Sequence, residues 1–311
     1  MPSSAGGGII VLPARFQEEA SGLLHDPEPR RCPACEGFSK PFRLIQRYRY
    51  DRCGACGLAF LDREPEGFST AAIYGDAYFF GGGAGYPDYL REGRILTARG
   101  RSYARIVGRF ARPGRLLDVG AAAGFIMCGF ADEGWSGVGV EPNHTMAAHA
   151  RSIGLDVRDG AIEAFGTDER FDLVTMIQAL AHVRDLSAAL ARAATLTRPN
   201  GLLFCEVMDG GSLLARLLGA QWHGFSPPSV LRIFTPRALD DAVRPYGFGR
   251  VTAGRPVKWI SARHAKSLLD ARAAEGRVSR AAALAARLLP DRLALPYPGR
   301  DLLWALYRKR D

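Results

Sequence analysis

The stretch Arg115-Leu-Leu-Asp-Val-Gly-Ala-Ala-Ala-Gly124 joins a short apolar run to a turn made of small residues. A helical pattern follows directly, so the stretch predicts a strand, a tight turn and a helix. Small residues let the backbone approach a ligand closely, and the amino end of the following helix favours a carboxylate or a phosphate. Asp118, Gly120, Ala122 and Gly124 are therefore candidate cofactor-binding residues.

Short apolar runs alternate with helical patterns on both sides of the turn. The runs are Arg115–Val119, Gly137–Glu141, Leu155–Arg158, Phe171–Ile177 and Gly201–Val207. Such alternation is typical of βαβ units and of a parallel sheet. The sequence therefore predicts an α/β fold with a doubly wound, Rossmann-like and mostly parallel sheet, to which the apolar segment 302–307 adds a last strand.

Acidic residues end the second and third runs. Glu141 lies where an acid accepts hydrogen bonds from both hydroxyls of a ribose, and Asp159 lies where an adenine amino group would approach. A nicotinamide dinucleotide site has much the same glycine pattern, so the turn and the acids alone leave that alternative open.

Four of the six cysteines form two C-x-x-C pairs, Cys32 with Cys35 and Cys53 with Cys56, with 17 residues between the pairs. A two-residue spacer lets a tight turn direct both sulfurs at one ion, and four thiolates suit tetrahedral Zn²⁺. Because four cysteine ligands leave no open position, the metal is expected to be structural. A redox dithiol is the alternative.

Side chains alternate with a period of two between the cysteine pairs, from residue 42 to residue 50, which predicts a β-hairpin. Together, the pairs and the hairpin form a small zinc-ribbon module. Its basic residues would contact phosphates if the partner were RNA. They are Arg43, Arg47, Arg49 and Arg52.

These patterns divide the chain into five parts. They are a flexible leader (1–29), the zinc ribbon (30–66), a lead-in of helices or a lid (67–112), a cofactor-binding core (113–255) and a basic helical tail with the final strand (256–311). The start of the chain has no basic segment ahead of a long apolar run, and no run approaches the roughly 20 apolar residues of a membrane span. We therefore expect a cytoplasmic protein.

The net charge of +9 raises nucleic acid as a partner, but the charge is unevenly placed. Residues 256–311 carry a net +7, which leaves the rest of the chain nearly neutral. Within them, residues 261–289 form an amphipathic basic pattern that could meet an anionic membrane surface or an acidic partner, or could pack its leucines on the core.

The lead-in contains Tyr74, Tyr78, Tyr86 and Tyr89 around a run of glycines at 81–83. Two interpretations remain open for this aromatic segment. It could act as a hinged lid that excludes water from the site. It could instead provide packing between the ribbon and the core.

The residues from Phe171 to His182, followed by the turn from Thr197 to Gly201, resemble the fourth strand and the next turn of class I S-adenosylmethionine (SAM)-dependent methyltransferases. With the ribbon, the tyrosine-rich lead-in and the segment from Trp222 to Pro228, the chain is similar to bacterial methyltransferases of this class that accompany glycan or secondary-metabolite pathways. The resemblance implies that SAM is the cofactor. It assigns SAM binding to Asp118, Gly120, Gly124, Glu141 and Asp159, with Gln178 as a further contact.

Two positions depart from that family. Ala181 stands before His182 where the family commonly has glutamate, and Val230 stands where it commonly has histidine. Both departures concern the acceptor and any base that the family would use.

Methyl transfer needs a base only if the acceptor must lose a proton. His182 is a candidate because it follows the fourth predicted strand, at the carboxyl edge where ligands bind in such sheets. His223 is a second candidate because it lies beside Trp222 in an aromatic loop. The alternatives are a packed or capping role for His182 and a surface-loop role for His223.

The sequence therefore predicts a SAM-dependent methyltransferase that acts on a small-molecule or glycan acceptor, on oxygen. An rRNA base methyltransferase, with RNA contacts from the ribbon, is one alternative. A non-catalytic scaffold is another, motivated by Ala181 and Val230.

Overall fold

The computed structural model describes residues 29–63, 73–81, 86, 88–274, 284–286, 288–297 and 299–310. The strands are β1 (Ser39–Ile45), β2 (Tyr48–Cys53), β3 (Ala59–Leu61), β4 (Arg115–Val119), β5 (Ser136–Glu141), β6 (Asp156–Asp159), β7 (Phe171–Ile177), β8 (Thr197–Met208), β9 (Arg232–Ile233), β10 (Phe248–Gly254), β11 (Lys258–Ser261), β12 (Ala294–Tyr297) and β13 (Leu302–Lys309). The α-helices are α1 (Asp76–Phe80), α2 (Gly93–Val107), α3 (Phe125–Ala131), α4 (His144–Ser152), α5 (Leu186–Leu196), α6 (Leu213–Leu218), α7 (Pro236–Val243) and α8 (Ala262–Ala274). Short 3₁₀ helices cover Tyr89–Glu92, Ile162–Ala164, Gly219–Gln221 and Arg244–Tyr246.

A seven-stranded sheet in the order β10-β13-β8-β7-β4-β5-β6 forms the centre of the molecule. Strands β6, β5, β4, β7 and β8 are parallel, and β13 runs antiparallel to both of its neighbours. The predicted doubly wound α/β sheet is thus confirmed. The predicted last strand is β13, which lies between β8 and β10.

The apolar runs locate the central strands to within a residue, with one exception. Strand β8 begins at Thr197, four residues before the predicted start at Gly201, because Thr197 already pairs with Phe171. The pairing is irregular between Phe171 and Leu173, and Asn200 has a positive φ of 60°. The predicted turn at 199–201 therefore lies within the strand as an irregularity of its backbone.

The ribbon packs onto the core through a shared sheet. Strands β1 and β2 form the predicted β-hairpin, β3 extends it into an antiparallel meander, and β9, which comes much later in the chain, pairs with β3. The Tyr50 hydroxyl donates to the Val230 carbonyl, and the Thr235 hydroxyl donates to the Cys56 carbonyl at 2.7 Å. The ribbon is thus continuous with the fold around residues 230–235.

Several predicted segments lie outside the described residues, namely the leader up to residue 28, residues 64–72 and residues 275–283 of the tail. Of the predicted basic helix at 261–289, the structure describes α8 as a regular helix. In the described ranges, no helix has the length and hydropathy that crossing a membrane requires.

Candidate functional site

A cavity opens at the carboxyl ends of β4 and β5, where the backbone of the small-residue turn is exposed to it. Gly120, Ala122 and Gly124 all have positive φ angles, of 74°, 46° and 79°. Gly120, Ala122 and Glu141 line this space, which we call the glycine-turn cavity. The turn after β4 consists of small residues because larger side chains would make this succession of left-handed conformations sterically costly.

Glu141 is held at the end of β5 by the backbone. Its carboxylate oxygens accept hydrogen bonds from the backbone nitrogens of Ala122 and Asn143, both at 2.8 Å. Burial nevertheless raises the pKa of Glu141 to about 6, because the charged form loses its hydration. A carboxylate oriented in this way accepts hydrogen bonds from vicinal hydroxyl groups of a ligand.

Asp118 and Gly124, two further predicted cofactor residues, are not part of the lining of the glycine-turn cavity. The Asp118 carboxylate is buried in the sheet and accepts a hydrogen bond from the Thr175 hydroxyl at 2.6 Å, and burial raises its pKa to about 7. A Cβ atom at Gly124 would lie 2.3 Å from the Leu155 side chain, so this glycine permits close packing.

Asp159 is about half exposed and forms ion pairs with His144 at 2.9 Å and Arg151 at 3.0 Å. Its neighbour Gly160 contributes to the lining of the glycine-turn cavity. The structure therefore places the backbone after Asp159, instead of its side chain, against the ligand space.

Tyrosines of the lead-in close the other side of the glycine-turn cavity. Tyr74, Tyr78, Tyr86 and Tyr89 all line it. Tyr86 and Tyr89 meet edge to face with ring centroids 4.8 Å apart, and Tyr74 meets Tyr78 in the same way at 5.4 Å. These rings form one wall of the cavity, which we call the tyrosine wall.

A second cavity adjoins the first, and four parts of the chain that are distant in sequence contribute much of its lining. They are the turn of the ribbon hairpin (44–46), the aromatic loop (220–230), β11 with α8 (258–268), and Tyr297 with Leu302. We call this space the ribbon-side cavity. The two cavities have four lining residues in common, Tyr78, Tyr86, Gln178 and His182.

His182 lies at the junction, and its ring is fixed through Nδ1. This nitrogen is 2.9 Å from the Ser229 carbonyl oxygen and 2.8 Å from the Tyr74 hydroxyl, which itself donates to the Ser229 carbonyl. A carbonyl oxygen cannot donate, so Nδ1 must carry the proton. Burial lowers the pKa of His182 below its usual 6.5, so the ring is neutral near pH 7 and Nε2 has a free lone pair.

Gln178 links the junction to a buried polar cluster that sequence reasoning missed. Its Nε2 donates to Glu206 Oε1 at 3.0 Å, and Glu206 also accepts from the Tyr103 hydroxyl and lies 3.6 Å from Arg99. Lys258 in β11 lines the ribbon-side cavity nearby. A glutamate inside the otherwise apolar run of β8 was the one sequence signal for this cluster.

His223 also lines the ribbon-side cavity, but it is engaged on both sides of its ring. Its Nε2 is 3.3 Å from Asp301, and its Nδ1 is 3.4 Å from the Tyr297 hydroxyl. Asp301 also accepts from Trp222 Nε1 at 2.8 Å. The structure brings His182 to the junction and places His223 in a network that joins the aromatic loop to the start of β13.

The four predicted metal ligands lie together in the ribbon. The sulfurs of Cys32, Cys35, Cys53 and Cys56 are all within 4.8 Å of one another. Two of the separations are 3.6 Å and 3.5 Å, close to the about 3.8 Å that four sulfurs bound to one tetrahedral zinc would show. Backbone nitrogens of Ala34 and Ala55 point at Cys32 and Cys53 sulfurs, both at 3.4 Å, so the donor set fits a thiolate-bound metal.

Arg49, one of the four arginines that would contact phosphates in the RNA alternative, is not exposed for such a contact. This side chain is buried and forms ion pairs with Asp51 at 3.1 Å and Asp62 at 3.3 Å. Arg43 and Arg52 lie over the ring of Phe42.

The sheet order, the glycine turn and the two joined cavities define a class I SAM-dependent methyltransferase. A family model described as a methyltransferase domain matches residues 91–253, which is more than half of the chain. The chain therefore belongs to this methyltransferase family.

Curated relatives match a part of the chain. A ubiquinone biosynthesis O-methyltransferase of Rhodopseudomonas palustris is 28% identical over 149 residues, which are 44% of this chain and 58% of that protein. Its counterpart in Bradyrhizobium diazoefficiens is 29% identical over 143 residues, 43% of this chain and 56% of that protein. The chain thus spans a little over half the length of these relatives.

Solved structures show the same fold at low sequence identity. A proposed methyltransferase of Bacillus halodurans matches with a TM-score of 0.52 and 14% identity, over 68% of this chain and 99% of that one. The 1,6-didemethyltoxoflavin N1-methyltransferase of Burkholderia thailandensis matches with a TM-score of 0.50 and 18% identity, over 87% of this chain and 99% of that one.

Proposed function

We propose that the protein transfers the methyl group of SAM to a hydroxyl oxygen of a small-molecule or glycan acceptor, with His182 as the general base. The observation that carries this proposal is the position of His182 at the junction of two cavities, with Nδ1 bound to a carbonyl and Nε2 left basic. SAM, when bound, supplies an electrophilic methyl group.

The glycine-turn cavity would hold SAM. Glu141 would accept hydrogen bonds from the ribose hydroxyls, and the backbone at Gly120 and Gly160 would pack against the ligand. Gln178 would contact the end of the ligand nearest the ribbon-side cavity. The tyrosine wall would exclude water, so that the protein supplies positioning and a dry environment for an in-line displacement.

The ribbon-side cavity would hold the acceptor with its hydroxyl directed at His182. Nε2 would take the hydroxyl proton as the new bond to carbon forms, and the Ser229 carbonyl would stabilise the imidazolium through Nδ1. Oxygen as the methylated atom is supported by the names of the curated relatives and by the placement of a neutral imidazole, which a sulfonium displacement by a free amine would not need.

Zn²⁺ bound by Cys32, Cys35, Cys53 and Cys56 is part of the same proposal. The four thiols would hold the ion in a closed structural site at the end of the ribbon remote from its hairpin turn. The metal would fix the hairpin whose turn lines the ribbon-side cavity.

The test combines binding with product analysis. Calorimetry of SAM and of S-adenosylhomocysteine (SAH) with the zinc-loaded protein is expected to give micromolar dissociation constants, which Glu141→Ala raises at least tenfold. Incubation with SAM and a panel of phenols and sugars, followed by mass spectrometry and NMR of the product, is expected to reveal an O-methyl group. Absence of SAM and SAH binding by the folded protein would overturn the proposal and favour a scaffold.

The role of His182 has its own test. His182→Asn keeps a donor to the Ser229 carbonyl and removes the base, so we expect kcat to fall by about 10²–10⁴ while the SAH dissociation constant changes little. The wild-type rate is expected to fall as pH decreases through a value below 6.5, where His182 becomes protonated, and this limb is expected to vanish in the variant. His144→Asn, at an exposed ion pair, is the control. If the rate of His182→Asn depended on pH as the wild-type rate does, a residue other than His182 would have to be the base.

A further inference from the structure

Lys258 projects from β11 into the ribbon-side cavity, where the Asp301 and Glu206 carboxylates act on it only from beyond ion-pair distance. Its Nζ lies 4.8 Å from the centroid of the Tyr297 ring. Across the described ranges of the chain, no carboxylate oxygen lies within 4.0 Å of Nζ, and Nζ donates no hydrogen bond. An ammonium group in a partly closed, aromatic-lined cavity is costly unless something in the cavity pairs with it.

The carboxylates closest to this region are already engaged. Glu206 is bound by Tyr103, Gln178 and Arg99, as described above. Asp301 accepts from Trp222 and is paired with His223. Neither carboxylate is positioned to neutralise Lys258, although both lie near enough to influence its charge.

Arg99 provides a second cation in the lining of the same cavity. Its side chain is 13% exposed, and its ion pair with Glu206 is a long one at 3.6 Å. Arg99 and Lys258 come from α2 and β11, elements that contact each other. Two cationic side chains from adjacent elements therefore line this space together with Arg232 and with polar, aromatic and apolar groups.

We propose that Lys258, with Arg99, binds an anionic group of the acceptor, a carboxylate or a phosphate, and so selects acidic over neutral acceptors. The inference rests on the proposed function only where it identifies the bound anion as part of the methyl acceptor. The anion site itself is defined by the cavity. The anion would pair with an ammonium that makes no direct ion pair with the described residues, and it would thereby fix the orientation of the acceptor relative to His182.

The ionisation of Lys258 is consistent with such a ligand. Burial lowers the pKa of Lys258, because the charged form has lost much of its hydration and Arg99 lies nearby. A bound carboxylate or phosphate would stabilise the charged form.

The experiment uses three probes that share a ring and differ in charge, namely benzoate, phenyl phosphate and neutral benzamide. Each is titrated by calorimetry or ligand-observed NMR into the zinc-loaded full-length protein saturated with SAH. We expect at least one anion to bind at least tenfold more tightly than benzamide. A preference for benzoate indicates a carboxylate acceptor, and a preference for phenyl phosphate indicates a phosphorylated one.

Lys258→Met keeps the length of the side chain and is expected to remove this preference while leaving the SAH dissociation constant within about twofold. Lys266→Met is the matched control, because Lys266 is paired with Asp291 and is not part of the cavity lining. Equal binding of benzamide, no binding of either anion, or a preference that survives in Lys258→Met would overturn the anion site. Anion preference without SAH binding would preserve the anion site and overturn the proposed methyl transfer.

Discussion

Asp118 and Glu141 lie near the carboxyl ends of neighbouring strands of the central sheet, but their carboxyl groups face different environments. Glu141 faces the glycine-turn cavity and is supported by two backbone donors. Asp118 faces the interior, where the Thr175 hydroxyl is its hydrogen-bond donor. One acid is therefore placed to bind a ligand, and the other supports the strand end from which the turn begins.

Asp118→Asn tests this division through the pH dependence of stability. The pKa of Asp118 is raised from 3.8 to about 7 in the folded protein, so the folded state holds a proton that the unfolded state has lost. The free energy of unfolding of the wild type should therefore decrease as pH rises from about 4 to about 7, by at most about 4 kcal/mol from this group. Asparagine can still accept from Thr175 and does not titrate.

Denaturant unfolding at pH 5 and pH 8 measures the effect. Relative to the wild type, the variant is expected to gain at least about 1 kcal/mol in free energy of unfolding between the two pH values. SAH binding is expected to be nearly unchanged. If Asp118→Asn lost SAH binding and its free energy of unfolding had the same pH dependence as that of the wild type, Asp118 would have to be a cofactor-binding residue.

The candidate site could be predicted from sequence where its chemistry is local. Gly120, Ala122 and Glu141 are identified by a turn and a strand end within 27 residues, because small residues and a terminal acid have few other uses there. Lys258 and Glu206 could not be predicted, because the role of each depends on side chains of other elements, including Arg99, which is more than a hundred residues away from both. No local pattern distinguishes a lysine in a cavity wall from one on the surface.

At the scale of elements, α2 and α3 cross with their backbones in direct contact. A Cβ atom at Gly129 in α3 would lie 2.2 Å from the Thr97 carbonyl oxygen and 2.5 Å from the Arg101 nitrogen. Gly100 in α2 faces α3 in the same way, since a Cβ atom there would lie 2.4 Å from the Ile126 carbonyl oxygen. This close approach positions α2 so that its Arg99 and Tyr103 side chains contact Glu206.

Gly129→Ala is expected to lower the free energy of unfolding by about 1–3 kcal/mol, because backbone atoms cannot move aside as a flexible side chain can. Gly166→Ala is the control, since a Cβ atom there meets nothing within 4 Å, and it should change stability by less than about 0.5 kcal/mol. Thermal or denaturant unfolding provides the measurement. Equal effects of the two substitutions would mean that the helices can separate freely.

The elements themselves were largely predictable, because buried parallel strands are short apolar runs between helices. The pairing partners of the strands were not predictable. Strand β9 has two residues and joins the ribbon sheet, and β13 enters between β8 and β10. Such pairings depend on which strand edges are left open by the rest of the fold, and the sequence of either strand carries no signal for that choice.

At the scale of the whole molecule, the two departures from the resembled family fall on one wall. Ala181 and Val230 both line the ribbon-side cavity and belong to an apolar cluster with Tyr50 and Trp222. Neither residue lines the glycine-turn cavity. The departures therefore change the shape and polarity of the proposed acceptor space and leave the proposed cofactor space intact, which favours altered specificity over loss of activity.

The ribbon and the core are expected to unfold as one cooperative unit, although the sequence suggests two modules. Strands β3 and β9 pair across the boundary, and Tyr50 and Cys56 are hydrogen-bonded to residues 230 and 235. Removal of the proposed zinc by a chelator, or Cys53→Ser, should therefore destabilise the ribbon and, through it, the central sheet. We expect a single thermal transition that shifts down by about 5 °C or more.

Calorimetry and tryptophan fluorescence, recorded on the same samples, would test whether the transitions coincide. Cys128→Ser is the matched control, because this thiol lies in α3 outside the four-cysteine cluster, and its substitution should leave the response to chelator unchanged. Two separate transitions, with the later one at the temperature of the untreated protein, would show that the ribbon unfolds independently. In that case the β3–β9 pairing would be too weak to couple a metal in the ribbon to the wall of the ribbon-side cavity.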